Sequence, residues 1–273
     1  MKEIPLCITL FGLTFLSTFL LGGIYYSFAL LTVLSAHEVG HYVASRLHGV
    51  RSTLPYFIPF PLPPFGTLGA VIKTKAPIPN RKALFDIGVA GPFAGLALSV
   101  TAIGVGLRLS HLIPVEKVPE DAIRLSNPLF FSLVQRMVLG SVPENHEVIL
   151  HPIAYAGWVG LFVTALNLLP IGQLDGGHVM YALLGRNSRR VFRLSIVGLV
   201  LTALFLNVGW LALVLLLLGI GYRHPAPLDD LTPLDSKRKL LGLLAIVVFV
   251  LSFTPTPFPQ WSMGLKDLLW RAR

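Results

Sequence analysis

The chain has 273 residues, of which 54% are hydrophobic and only 13% charged, and its formal net charge is +9. A soluble domain carries roughly twice that share of charge, so this composition, with a mean hydropathy of +0.72, excludes an ordinary soluble globule. The basic residues sit in short loops between apolar blocks, a distribution that suits anionic lipid headgroups and orientation signals and argues against nucleic-acid binding.

Five blocks contain no Asp, Glu, Lys or Arg: 4–36, 87–107, 148–174, 194–222 and 240–265. A hydrocarbon core about 30 Å thick needs about 20 apolar residues as helix, so each is long enough to cross. The expected fold is an all-α polytopic membrane protein with about six to seven transmembrane helices, forming one integral membrane domain over 1–273. Block 4–36 exceeds one span, and Gly22-Gly23 offers a break between a first span near 4–21 and a second near 24–46. It is also too long, and too poor in basic residues beyond Lys2, for a removable signal peptide. Cys7 is the single cysteine, so no intrachain disulfide is expected.

Between 46 and 82 the charges are all basic: Arg46, Arg51, Lys73, Lys75, Arg81 and Lys82. The segment 108–147 instead mixes Arg108, Lys117, Arg124 and Arg136 with Glu116, Glu120, Asp121, Glu144 and Glu147. The positive-inside rule places 46–82 in the cytoplasm and a loop over 109–147 outside. Spans at 83–107 and 148–170 connect the two faces. A second basic loop at Arg186, Arg189, Arg190 and Arg193 returns inside. Asn207 and Gly209 divide block 194–222 into two short helices, read as a hairpin with both basic flanks inside; one tilted span is the alternative. A last span near 238–254 ends before Pro255, Pro257 and Pro259.

The stretch from Leu54 to Ile78 is apolar, yet Pro55, Pro59, Pro61, Pro63 and Pro64 forbid a regular helix. The region 50–82 is expected to be re-entrant, with a strand or hairpin over the β-compatible residues from Thr67 to Lys75. Because lipid-exposed irregular backbone is excluded, it must be buried in protein or line a wet cavity. A structural loop and a substrate-binding element both fit this description.

His37-Glu38-Val39-Gly40-His41 carries the chemistry. Residues four apart share a helix face, so both imidazoles can bind one Zn²⁺, and Glu38 can serve water as a general base. An ionisable group at the end of an apolar span is expensive and usually functional; two core histidines beside a satisfied carboxylate are the plain alternative. A catalytic zinc takes three protein ligands, and Asp175 is the candidate third. Pro170, Gly172, Gly176 and Gly177 break the helix around it and let the backbone bend toward the metal. Asp86 is a rival, read more simply as a first-turn helix acid. Gly88, Gly91 and Gly95 read as a close-packing helix face. His178 is a candidate for orienting a ligand or for contacting water, His48 an interfacial residue, and His151 a residue of the opposite face.

HEVGH at 37–41 together with N-x-x-P-x-x-x-L-D-G-G at 167–177 resembles the site-2 protease family of intramembrane metalloproteases. The stretch from Gly66-Thr67-Leu68-Gly69-Ala70 through Asn80-Arg81-Lys82 and Asp86 to Gly91-Pro92 is similar to members from bacteria and chloroplasts, and the resemblance covers roughly residues 30–240. It implies one zinc per chain bound by His37, His41 and Asp175, with Glu38 activating water. It also implies that Asn167 positions substrate or stabilises the oxyanion. As a short form, the chain is expected to lack the PDZ or CBS module that many relatives add.

The implied reaction is hydrolysis of peptide bonds in or near a membrane-protein substrate's transmembrane segment. His41 precedes Arg46 by about 7–8 Å of helix at ~1.5 Å per residue, which places the site toward the cytoplasmic face of a cell membrane. An exposed strand near Gly69 would hold the unwound substrate by strand addition. A bacterial cytoplasmic membrane is expected, since residues 1–3 leave no space for a transit peptide; a mature organellar protein numbered from a new start is the alternative. The competing readings are a membrane metal transporter and a catalytically inactive scaffold. No nucleic-acid partner is expected, and the oligomeric state is not legible.

Overall fold

A computed structural model describes residues 3–119, 122–220 and 224–265. Glu120 and Asp121, counted above in the acidic loop, lie outside the described residues, as do Lys2 and residue 223 at the start of the last basic flank.

The chain begins with α1 (Glu3–Leu47), which Gly23 breaks at φ +75° and ψ −176°. That left-handed φ is open to glycine without steric cost, and here it reverses the chain. Thr18 and Ser27 would lie about 13 Å apart on a straight helix, yet their hydroxyl oxygens are 2.6 Å apart. Ser27 also donates to the Phe15 carbonyl at 3.1 Å, and the Phe15 and Phe28 rings meet at 5.4 Å. The apolar block at the N-terminus is therefore two antiparallel helical arms, with the break where Gly22-Gly23 placed it.

Next come β1 (Tyr56–Pro59) and β2 (Thr67–Val71), an antiparallel pair in the register Tyr56↔Val71, Phe57↔Ala70 and Pro59↔Thr67. This hairpin lies along the first arm, from the Lys75–Glu3 ion pair at 2.6 Å through the edge-on Phe11–Phe57 contact to its proline-rich tip. There, three consecutive carbonyls are satisfied by hydroxyls from three directions. Tyr155 donates to Pro64 at 2.9 Å, Tyr26 to Phe65 at 2.8 Å and Ser17 to Gly66 at 2.5 Å. Irregular backbone surrounded by apolar helices needs such internal partners.

Helix α2 (Arg81–Arg108) starts at the Asn80 cap, whose side chain accepts from the Ala83 N–H. It is followed by β3 (His111–Pro114), α3 (Leu129–Leu139) and β4 (His146–Ile149). The segment 109–147, expected as a loop, thus contains a helix and most of a second hairpin, with β3 and β4 paired from His111↔Ile149 to Pro114↔His146. Helix α4 (Pro152–Asn167) is buried nearly all round. Gly157 and Gly160 let it close on Ile103 and Ser99 of α2 and on Val33 of α1. Trp158, Leu161, Tyr26, Leu30, Ile103 and Leu107 meet there as the main core.

The remaining helices are α5 (Asp175–Leu184), α6 (Ser188–Phe205), α7 (Trp210–Ile220) and α8 (Ser236–Ser252). Block 194–222 divides where Asn207 and Gly209 stand, with Asn207 Oδ1 accepting the Gly209 N–H at 2.8 Å. Helices α1 and α2 are long and apolar enough to cross a membrane, and α4 and α7 are shorter apolar helices. The fold is mainly helical with two small sheets among the described residues.

Candidate metal centre

His37 and His41 stand one turn apart on the second arm of α1 and point their rings the same way, centroids 4.8 Å apart. Asp175 opens α5 after the turn that leaves α4. The turn is tight because Gly176 packs its backbone on Leu168: a methyl there would sit 2.0 Å from the Leu168 carbonyl oxygen. Only glycine allows that approach, and it swings the Asp175 carboxylate back over α1. Asp175 Oδ2 lies 3.2 Å from each Nε2 of His37 and His41, and the two Nε2 atoms are 3.1 Å apart.

These three atoms make a nearly equilateral triangle. Ligands about 2.0–2.1 Å from a tetrahedral zinc are separated by roughly 3.3–3.4 Å, so the donor set fits the ion in identity, number and spacing. His41 Nδ1 lies 2.7 Å from the Ile87 carbonyl. Donation there puts the proton on Nδ1 and leaves Nε2 as a free lone pair facing the cluster. The three side chains are 4%, 12% and 15% exposed in the order His37, His41, Asp175, and the more open side is that of the carboxylate.

Glycines of α2 make the room. A methyl on Gly91 would meet His41 Nε2 at 2.1 Å, and one on Gly95 would meet His37 Nδ1 at 3.1 Å. The small-residue face read from sequence as helix packing is also the seat of both imidazoles. Glu38 is 6% exposed, has His41 and Asp175 as its charged neighbours, and has no hydrogen-bond partner among the described residues. Asn167, the last residue of α4, places Nδ2 3.2 Å from His37 Nε2. Five expected residues thus come together. Gly69 does not join them by any hydrogen bond; it lies on β2 at φ +95°, its N–H held by Thr67 Oγ1 at 3.0 Å.

Other expectations resolve differently. Asp86 is the sixth residue of α2 rather than a first-turn acid, and it is absent from the cluster. Its carboxylate takes a two-pronged bond from Arg238 and contacts His48. His178 packs Nδ1 against Nε2 of His224, with the two rings perpendicular. His224 in turn stacks on Tyr181 at 4.7 Å, and Tyr181 donates to Asp230 at 3.1 Å. Burial, and then the His178 ring, push the His224 imidazole down to about 3, so it is neutral at physiological pH. Sequence reasoning missed His224, which follows α7 in a segment with no recognisable motif. His151 caps α4 near Tyr25, at the opposite end of the bundle as expected.

Residues 25–208 match the sequence profile of Peptidase family M50. The protein named probable zinc metalloprotease EGY1, chloroplastic, of Arabidopsis thaliana is 35% identical over 240 residues, which cover 84% of this chain and 42% of that protein. Its namesake from Oryza sativa subsp. japonica is 34% identical over 253 residues, covering 89% and 42%. Probable zinc metalloprotease EGY2, chloroplastic, of Oryza sativa subsp. indica is 29% identical over 250 residues, covering 90% and 45%. The chain spans about two-fifths of the length of the curated relatives it matches.

Proposed function

The chain belongs to peptidase family M50, and from that premise we propose that it is an intramembrane zinc metalloprotease cleaving membrane-protein substrates in or near their spanning segments. The observation that carries the reading is the triangle of donor atoms from His37, His41 and Asp175, 3.1–3.2 Å on a side, with Glu38 buried beside it and without a hydrogen-bond partner among the described residues. His37, His41 and Asp175 would hold the zinc, which when bound supplies Lewis acidity toward a scissile carbonyl and toward water.

Glu38 is the general base and acid: its carboxylate takes a proton from the attacking water and delivers it to the leaving nitrogen. Asn167 offers its side-chain N–H groups to the oxyanion that develops on the carbonyl. The Ile87 carbonyl keeps His41 in one tautomer, and the apolar helices around the cluster limit water to what reaches it from one side.

A substrate helix must unwind before attack, and the β1–β2 hairpin offers main-chain partners in place of those lost. Gly69 sits in the middle of β2, where the absent side chain leaves the strand open. Val71→Pro in enzyme of unchanged zinc content is expected to lower cleavage; undiminished cleavage sinks strand addition.

The whole of 1–273 acts as one integral membrane domain on this reading. Its six to seven spans are the two arms of α1, α2, α4, one or two from α6 and α7, and α8. The re-entrant hairpin region is 50–82, and 109–147 is extracytoplasmic. The basic loops put the metal centre toward the cytoplasmic face of a cell membrane, or the equivalent face of an organelle such as that named for the relatives. A transport path calls for ligand groups at several depths, whereas His37, His41 and Asp175 are the one cluster of this kind among the described residues. Chelation is expected to abolish cleavage of a membrane-span peptide by the purified protein, and stoichiometric zinc to restore it. Full activity in verified zinc-free protein refutes the proposal.

A further inference from the structure

Ile87, whose carbonyl orients His41, directly follows Asp86, the centre of an ion cluster joining α2, α8 and the turn that closes α1. Asp86 Oδ1 accepts from Arg238 Nε at 2.8 Å, and Oδ2 from Arg238 Nη2 at 2.6 Å. His48 Nε2 lies 2.8 Å from the same Oδ2. Arg238, in the first turn of α8, is itself set by Asp235, which caps the helix by accepting the Arg238 N–H at 3.0 Å and also bonds the guanidinium. A planar fork on a carboxylate fixes direction as well as distance.

The two histidines on the α1 side, His41 and His48, are seven residues apart, two helical turns, and so share a face. Together they grip neighbouring positions of α2: His41 the carbonyl of Ile87, His48 the carboxylate of Asp86. Just beyond His41 the backbones touch, with Gly40 so close to Ala90 that a methyl there would lie 2.5 Å from its carbonyl oxygen. The depth at which α2 sits against α1 therefore sets where the Ile87 carbonyl points. Being backbone, that carbonyl is positioned only by what holds α2.

We propose that Asp86, clamped between Arg238 and His48, is the positioning residue for the ligand His41, so that α8 is mechanically tied to the metal centre through the Asp86–Ile87 step. The inference rests on the metal-centre reading above. Nothing about it requires Asp86 to touch metal or substrate; it acts by holding the carbonyl that selects His41's tautomer and ring angle. Outer-shell partners of this kind typically change metal affinity by about 10–100-fold.

The test uses the full chain in detergent and reads the metal rather than turnover. Zinc dissociation constants are measured by chelator competition, and the cobalt-substituted protein is examined by its visible absorption, which reports ligand geometry. Asp86→Asn keeps the shape and removes the charge. It is expected to weaken zinc about 10-fold or more and to shift the cobalt bands. Arg238→Lys keeps the charge, loses the fork, and is the milder variant should Asp86→Asn fail to fold; it is expected to move the spectrum the same way by less. Glu3→Gln removes an exposed ion pair to Lys75 remote from the ligands and is expected to change neither readout. Zinc affinity and cobalt bands unaltered in Arg238→Lys, or in a folded Asp86→Asn, would overturn the positioning role while leaving the metal centre standing. Wild type binding neither ion would overturn the metal centre, and this inference with it.

Discussion

Gly91→Ala is the sharpest single perturbation of the centre. The added methyl would lie 2.1 Å from His41 Nε2, 2.4 Å from Cδ2 and 2.6 Å from Cε1. Restoring an ordinary 3.4 Å contact moves the imidazole by roughly 1.3 Å. Metal–ligand distances tolerate only about ±0.2 Å, so the displaced nitrogen leaves the triangle. The ring cannot slide along its own plane without giving up the Ile87 carbonyl at 2.7 Å. Zinc affinity should fall by at least the ~10–100-fold typical of losing an outer-shell partner. The fold should survive, since Gly→Ala in a helix interior gains up to about 1 kcal/mol. Gly95→Ala brings its methyl only to 3.1 Å from His37 Nδ1, a shift of tenths of an ångström, and should weaken zinc less. Gly104→Ala meets nothing within 4 Å and should bind zinc as wild type. Chelator competition on the three purified variants, with thermal unfolding alongside, gives the order. Gly91→Ala binding zinc as tightly as Gly104→Ala would refute the geometry.

Three further substitutions address the scaffold. Tyr26→Phe and Tyr155→Phe each strip a hydroxyl from a carbonyl of the proline-rich tip, at about 1–3 kcal/mol for a buried acceptor left unpaired. A lower unfolding temperature and a raised KM at unchanged kcat are expected, and unchanged values of both count against the hairpin as a substrate element. Gly106→Ala places a methyl 2.1 Å from the backbone nitrogen of Ala154, which cannot rotate away. It should cost about 1–3 kcal/mol of overpacking and lower the unfolding temperature, whereas Gly104→Ala two residues earlier should not.

The grouping of His37, His41 and Asp175 was largely legible because its parts are local. HEVGH sets two histidines on one face by helix period alone, and the Pro/Gly cluster around Asp175 marks the bend that brings its carboxylate to them. The break at Gly22-Gly23 and the division at Asn207 and Gly209 were legible for the same reason: each is a backbone event written in one or two residues. A strand or hairpin was expected from Thr67 to Lys75, and β2 falls there, but its partner β1 lies earlier at Tyr56–Pro59, in the stretch where the prolines signalled only the absence of helix. What stayed hidden depends on distant partners. Asp86 has the local look of a helix-start acid, and only the fold brings Arg238 to it from 152 positions away. His224 has no motif and acquires meaning only when α5 delivers His178. The four-residue strands β3 and β4 are too short for alternation to declare them, and α3 between them lacks a capping side chain. That glycines on α2 seat the ligand rings follows from helix contact rather than from the spacing that first drew attention to them.

The most direct measurement compares wild type with Glu38→Gln, purified in detergent, for zinc content and for cleavage of a membrane-span peptide. The account predicts about one zinc per chain in both proteins, as three ligands untouched by the substitution require, and cleavage by wild type alone. Wild type without zinc, or Glu38→Gln cleaving as fast as wild type, would contradict it.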